Sequence, residues 1–238
     1  MRYHVLATDY DGTLAHDGKV DDITVAALDR LRKSGRRLVM VTGRELEDLF
    51  NTFDYTHLFD RIVAENGALL YDPVRDNRKL LATPPPREFV ALLRQKEIPL
   101  SVGHCIVATV EPYEHVVLDA IRDLGLEWHV IFNKGSVMAL PAGVTKATGL
   151  LPALKDLGVT PAQTVGVGDA ENDHAFMRKC CVAVAVANAL ESVKADADLT
   201  TLGARGAGVT ELIDRMIEND LADITPRPAV HRAASPVV

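Results

Sequence analysis

The run His4-Val5-Leu6-Ala7-Thr8 ends on Asp9-Tyr10-Asp11-Gly12-Thr13, and this junction constrains the chain more than any other stretch. A short apolar run of this kind has the make-up of a buried strand, and the glycine marks where the backbone turns out of it. Two carboxylates one residue apart at such a strand end raise one another's pKa unless a cation or a proton intervenes. A folding code has no evident use for that cost. Phosphoryl transfer does, because one carboxylate can attack phosphorus while the other moves a proton.

The stretch after this junction alternates strands and helices. Val20-Asp21-Asp22 supplies an N-cap, and the helix it opens carries Ile23, Ala27, Leu28 and Leu31 at helical spacing and stops at Gly35. Arg37 to Val41 is a second buried strand ending at Thr42-Gly43-Arg44, with a short helix through Phe50. Arg61 to Ala64 is a third strand, and Ala68 to Tyr71 a fourth beyond a turn at Asn66-Gly67. Near-continuous apolar strands separated by helices predict a parallel sheet covered on both faces.

The rhythm changes at Thr83-Pro84-Pro85-Pro86, which continues neither a helix nor a central strand. A helix from Arg87 to Glu97, an extended stretch from Leu100 to Val110 and a helix from Tyr113 to Leu124 follow. Strands at Leu126 to Phe132 and Val137 to Leu140 complete a small α+β module. From Gly143 the alternation resumes, with helices from Lys146 to Leu157, Glu171 to Arg178 and Val209 to Asn219. Strands at Thr164 to Val167 and Val182 to Val186 lie between them. The expected organisation is a core domain of residues 1–83 and 143–224, an inserted domain of residues 84–142, and a disordered tail from 225 to 238.

Composition narrows the setting. The net charge of −7 argues against nucleic acid as a partner, because phosphate backbones call for clustered Lys and Arg. The longest apolar run, Cys180 to Ala187, is too short for a membrane span. Asp9 and Asp11 interrupt the early apolar stretch, so a signal peptide is not expected. Three cysteines make no disulfide framework, and the expected location is the cytoplasm.

Four segments complete the pattern set by the first junction. Asp9/Asp11, Thr42 and Gly168-Asp169-Ala170-Glu171-Asn172-Asp173 fall at carboxyl ends of strands, where open α/β sheets bind ligands, and Lys146 opens a helix after a loop. In this order they resemble the four motifs of the haloacid dehalogenase superfamily, and the chain resembles its Cof-like, type IIB phosphatases. The resemblance covers about residues 3–82 and 143–220. It implies a Rossmann-like α/β core, with a parallel sheet, and an inserted small α+β cap of type C2.

The resemblance also implies roles. Asp9 is expected as the nucleophile and a Mg²⁺ ligand. Asp11 is expected as the proton donor and acceptor, with its backbone carbonyl on the metal. Thr42 and Lys146 would hold the phosphoryl oxygens, and Asp169 and Asp173 would complete the metal site. Gly43, Arg44 and Asn172 are further substrate-contact candidates, and Lys134 is a conceivable anion contact. The implied activity is Mg²⁺-dependent hydrolysis of a small phosphate monoester, in the phosphoglycolate or sugar phosphate class, through an aspartyl-phosphate. The cap's modest length resembles that of archaeal-type phosphoglycolate phosphatases and favours a compact substrate. Two other readings stay open: a sugar-phosphate mutase of the phosphomannomutase type, and a non-catalytic phospholigand-binding regulator. Asp11 argues against a response-regulator receiver, which lacks an acid two residues after its phosphoacceptor. Oligomeric state is not legible.

Overall fold

The structure, a computed structural model, describes residues 1–133 and 135–227. Lys134 and residues 228–238 of the expected tail lie outside the described residues. Strand β1 (Val5–Thr8) is buried along its whole length and pairs in parallel with β2 (Arg37–Val41), which pairs in parallel with β3 (Arg61–Ala64). Helix α1 (Asp22–Lys33) joins the first two strands. The Asp21 side chain caps it by accepting from the Thr24 amide at 2.8 Å, and Gly35 leaves it with φ +87°. Its inward face is Thr24, Ala27, Leu28 and Leu31, whereas Ile23, expected on that face, is exposed. Helix α2 (Leu46–Thr52) follows β2.

Beyond β3 the direction changes. β4 (Leu69–Asp72) and β5 (Asn77–Leu80) add to the same sheet as antiparallel strands, so the expected parallel sheet carries an antiparallel edge. The reason is local: Glu65–Gly67 form a tight turn that reverses the chain without a crossover helix. β5 has the sequence Asn-Arg-Lys-Leu and is exposed throughout, so it carries no apolar alternation by which it could be recognised. A charged edge of this kind discourages pairing with another chain.

Helix α3 (Arg87–Gln95), strands β6 (Ser101–Val102) and β7 (Val107–Val110), helix α4 (Glu114–Asp123), and strands β8 (Trp128–Asn133) and β9 (Ser136–Pro141) follow. Their strands form a separate antiparallel sheet in the order β6-β7-β9-β8. Phe89 and Leu93 of α3 and Val117, Ala120 and Ile121 of α4 pack with Val107 and Ala139 of this sheet. The expected single extended stretch from Leu100 to Val110 is two strands. The loop between them is drawn aside by a contact with Glu65.

The chain then returns through α5 (Lys146–Asp156), β10 (Thr164–Gly168), α6 (His174–Met177), β11 (Val182–Ala185), α7 (Glu191–Asp196), β12 (Leu199–Thr200) and α8 (Arg205–Asn219). The expected helix from Glu171 to Arg178 is a 3₁₀ turn, Glu171–Asp173, followed by the short α6. Among the described residues the larger sheet has the order β12-β11-β10-β1-β2-β3-β4-β5. Its central pair matters most. β1 and β10 are parallel neighbours with Thr8 opposite Val167, so the loops that leave them emerge side by side.

Helix α5 seats against the turn after β3 through two glycines. A Cβ on Gly149 would lie 2.5 Å from the Gly67 Cα and closer still to the Val63 side chain. In an open helix, replacing Gly by Ala stabilises by about 1 kcal/mol. Here the sign should reverse. Gly149→Ala is expected to lower the urea-unfolding free energy by about 1–3 kcal/mol through overpacking, and a gain in stability would contradict this packing.

Candidate active site

Asp9 is the first residue beyond β1, and its amide donates to the carbonyl of Val167 on β10 at 3.0 Å. Asp169 is the first residue beyond β10, so strand pairing alone sets the two carboxylates next to each other. Lys146 is the first residue of α5. Thr145 caps that helix, its hydroxyl accepting from the Thr148 amide while the Thr148 hydroxyl accepts from the Thr145 amide. From this start the Lys146 side chain runs inward. Its Nζ donates to Asp9 Oδ1 and to Asp173 Oδ1, both at 2.6 Å.

The other oxygen of Asp173 closes its own loop, accepting from the amides of Asp169 and Ala170 at 2.9 Å. Gly168 makes room for it, since a Cβ there would stand 2.6 Å from the Asp173 Cβ. Thr13 Oγ1 donates to Asp169 Oδ1 at 3.2 Å. Asp9, Asp169 and Asp173 are all buried, and each offers a carboxylate oxygen within 4.8 Å of the others.

The charges are strongly coupled. Burial pushes the Asp9 carboxyl up to about 8, Asp173 and Asp169 add to the rise, and Lys146 opposes it. Burial alone would lower the Lys146 pKa, but Asp173 and Asp9 more than reverse this and hold it above its ordinary value. Lys146 is therefore an ammonium ion at neutral pH. A second positive charge among the three carboxylates would return Asp9 to its ionised form. Hard oxygen donors of this type suit Mg²⁺, so the residues fit the expected ion.

Above the cluster lies a cavity of about 430 Å³, walled by Asp9, Asp11, Gly43 and Arg44 from the core and by Ile106, Ala108 and Met138 from the smaller module. The Arg44 guanidinium grips both Asp11 oxygens, Nε to Oδ2 at 2.7 Å and one terminal nitrogen to Oδ1 at 2.8 Å. Its other terminal nitrogen meets Asp48 at 2.6 Å, and the group lies over the Tyr10 ring. Arg44 thus reaches the cavity as the partner of Asp11. Thr42 is completely buried, and its hydroxyl accepts from the Arg44 amide at 3.1 Å. Asn172 points towards the turn after β3, donating to Asn66 Oδ1 at 3.1 Å.

The structure therefore gathers Asp9, Lys146, Asp169 and Asp173 in one buried cluster and sets Asp11, Gly43 and Arg44 on the cavity wall. Thr42 sits next to that wall, and Asn172 is held to one side. Two residues with evident structural weight were not among the expected site residues. Glu65 is fully buried, with its carboxylate taken by two backbone amides of the smaller module, and Asn66 bridges Asn172 and the Met138 sulfur. The Asn66-Gly67 turn was legible, but its reach across the molecule is a tertiary property.

Known proteins resemble this chain in sequence and fold. The model of the haloacid dehalogenase-like hydrolase family matches residues 6–94 and 123–213. A phosphoglycolate phosphatase of Saccharolobus solfataricus is 28% identical over 221 residues, covering 91% of this chain and 93% of the relative. A phosphoglycolate phosphatase of Natronomonas pharaonis is 28% identical, covering 90% and 98%. Among solved structures, a haloacid dehalogenase-like hydrolase from Bacteroides thetaiotaomicron superposes with a TM-score of 0.76 at 20% identity, over 90% of this chain and 99% of the other. The chain belongs to the haloacid dehalogenase-like hydrolase family, in its phosphatase branch.

Proposed function

We propose that the chain is a Mg²⁺-dependent phosphohydrolase that cleaves a small phosphate monoester through a phosphorylated Asp9. The observation that carries this is the contact of one buried ammonium, Lys146, with both Asp9 and Asp173 directly beneath a cavity that Asp9 borders. Phosphoglycolate is the first substrate to try, because the curated relatives above bear that activity in their names.

Asp9, Asp169 and Asp173 would hold the ion, which would offset the charge of the phosphoryl group. Asp9 attacks phosphorus, the bond from phosphorus to the leaving oxygen breaks, and Asp11, released from Arg44 and protonated before this step, gives that oxygen its proton. Asp11 then takes a proton from water, the water oxygen attacks phosphorus, and the bond to Asp9 breaks to release phosphate. Lys146 keeps Asp9 aimed and supplies positive charge where the phosphoryl oxygens gather. Residues 84–142 act as a cap, and their Ile106, Ala108 and Met138 limit water around the leaving group.

The purified protein is expected to release inorganic phosphate from phosphoglycolate or a generic aryl phosphate. The activity should vanish in EDTA, return with Mg²⁺, and fall about 10³-fold or more in Asp9→Asn. Full activity in Asp9→Asn would rule out the covalent route. Conversion of a sugar 1-phosphate to its isomer without phosphate release would favour a mutase. Lys146→Met should abolish turnover and also destabilise the EDTA-treated fold by about 3–5 kcal/mol, because it leaves buried carboxylates uncompensated. Unchanged urea unfolding would contradict that role for the lysine.

A further inference from the structure

Residues 65–67 take an uncommon path. Glu65, Asn66 and Gly67 have φ of +52°, +53° and +108°, so two non-glycine residues in succession occupy the left-handed region. Such residues store strain and persist only where their surroundings over-determine them. Here they do. The Glu65 amide donates to the Arg44 carbonyl at 2.9 Å, and the Asn66 amide donates to the Thr42 carbonyl at 3.0 Å. Gly67 packs against the Thr145 carbonyl, just before Lys146. The Asn66 side chain accepts from Asn172, next to Asp173, and donates to the Met138 sulfur.

The Glu65 side chain ties this turn to the smaller module. Its fully buried carboxylate accepts the His104 amide at 2.9 Å and the Cys105 amide at 2.7 Å, with the His104 imidazole 3.5 Å away. Gly103 lies so close that a Cβ there would be 2.8 Å from Glu65 Oε1. An apolar seam of Ala68, Cys105, Ile106, Met138, Leu140 and Val144 continues the same contact. A buried carboxylate satisfied by loop amides is expensive to leave unpaired, so this contact is close to all-or-none.

From this juxtaposition we infer that Glu65 and Asn66 are positioning residues: seating of the 103–105 loop on Glu65 sets the turn, and the turn sets the Thr42, Lys146 and Asn172–Asp173 segments. Closure of the smaller module and assembly of the phosphoryl site are then one event. The link to turnover rests on the function proposed above, whereas the structural coupling does not.

Glu65→Gln breaks the seat from the core side, since its amide NH₂ would face a backbone donor. Gly103→Ala breaks it from the module side by pushing the loop off the carboxylate. Hydrogen exchange should rise in both variants not only over residues 101–108 but also over 167–174, where the Asp169 and Ala170 amides are held by Asp173. On an aryl phosphate, kcat should fall about tenfold in each variant, with KM little changed and the double variant no worse than either single one. Wild-type protection across 167–174 in both single variants, or kcat losses that multiply in the double, would overturn the inference. Should Glu65→Gln fail to fold, Gly103→Ala alone still decides the exchange arm. If the wild-type protein released no phosphate, the functional reading would fall, and exchange would still test the coupling.

Discussion

The arrangement depends on one ammonium ion. Lys146 donates to Asp9 and Asp173 at 2.6 Å each, in a buried place where three carboxylates converge. Buried like charges at this range are tolerated only with compensating positive charge. Much of the surrounding fold serves to deliver that charge. The parallel pairing of β1 with β10 sets Asp9 beside Asp169, and the Thr145 cap starts α5 where its first side chain can enter the cluster. Gly67 and Gly149 let that helix approach the turn after β3 closely enough for the lysine to reach.

The site has an inner and an outer part. The inner part is acidic, buried and suited to a hard cation and a phosphoryl group. The outer part is the cavity between the core and the smaller module, where Arg44 and Asp11 meet apolar residues of the second sheet. On the proposed mechanism the inner part supports chemistry common to the family, and the outer part sets which leaving group is accepted. The turn at residues 65–67 touches both, through Asn66 to Asn172 and to the Met138 sulfur.

The four motif segments were legible because their residue types are chemically costly and recur in a fixed order. The buried strands were legible because Val-Leu-Ala-Thr and Arg-Leu-Val-Met-Val are short apolar runs, and their ends fall where expected. β5 was not, because Asn-Arg-Lys-Leu at an exposed edge has neither apolar content nor alternation. The antiparallel direction of β4 follows from the tight turn at Asn66-Gly67, which was legible, and not from composition. Arg44 was a substrate-contact candidate and does reach the cavity wall, but its pairing with Asp11, 33 positions away, was not legible. Glu65 gave no signal at all. An isolated glutamate beside a turn looks like a solvated surface residue until the fold brings the amides of His104 and Cys105 to it.

The most direct test of the account is to trap the covalent species. Asp11→Asn, incubated with Mg²⁺ and an aryl phosphate, should accumulate phosphorylated protein, because the residue that activates water is gone while Asp9 remains. Peptide mass spectrometry should then find a phosphate on Asp9, and hydroxylamine should remove it as expected for an acyl phosphate. An active wild-type enzyme whose Asp11→Asn variant carries no phosphate on Asp9, or carries it on another residue, would contradict the account.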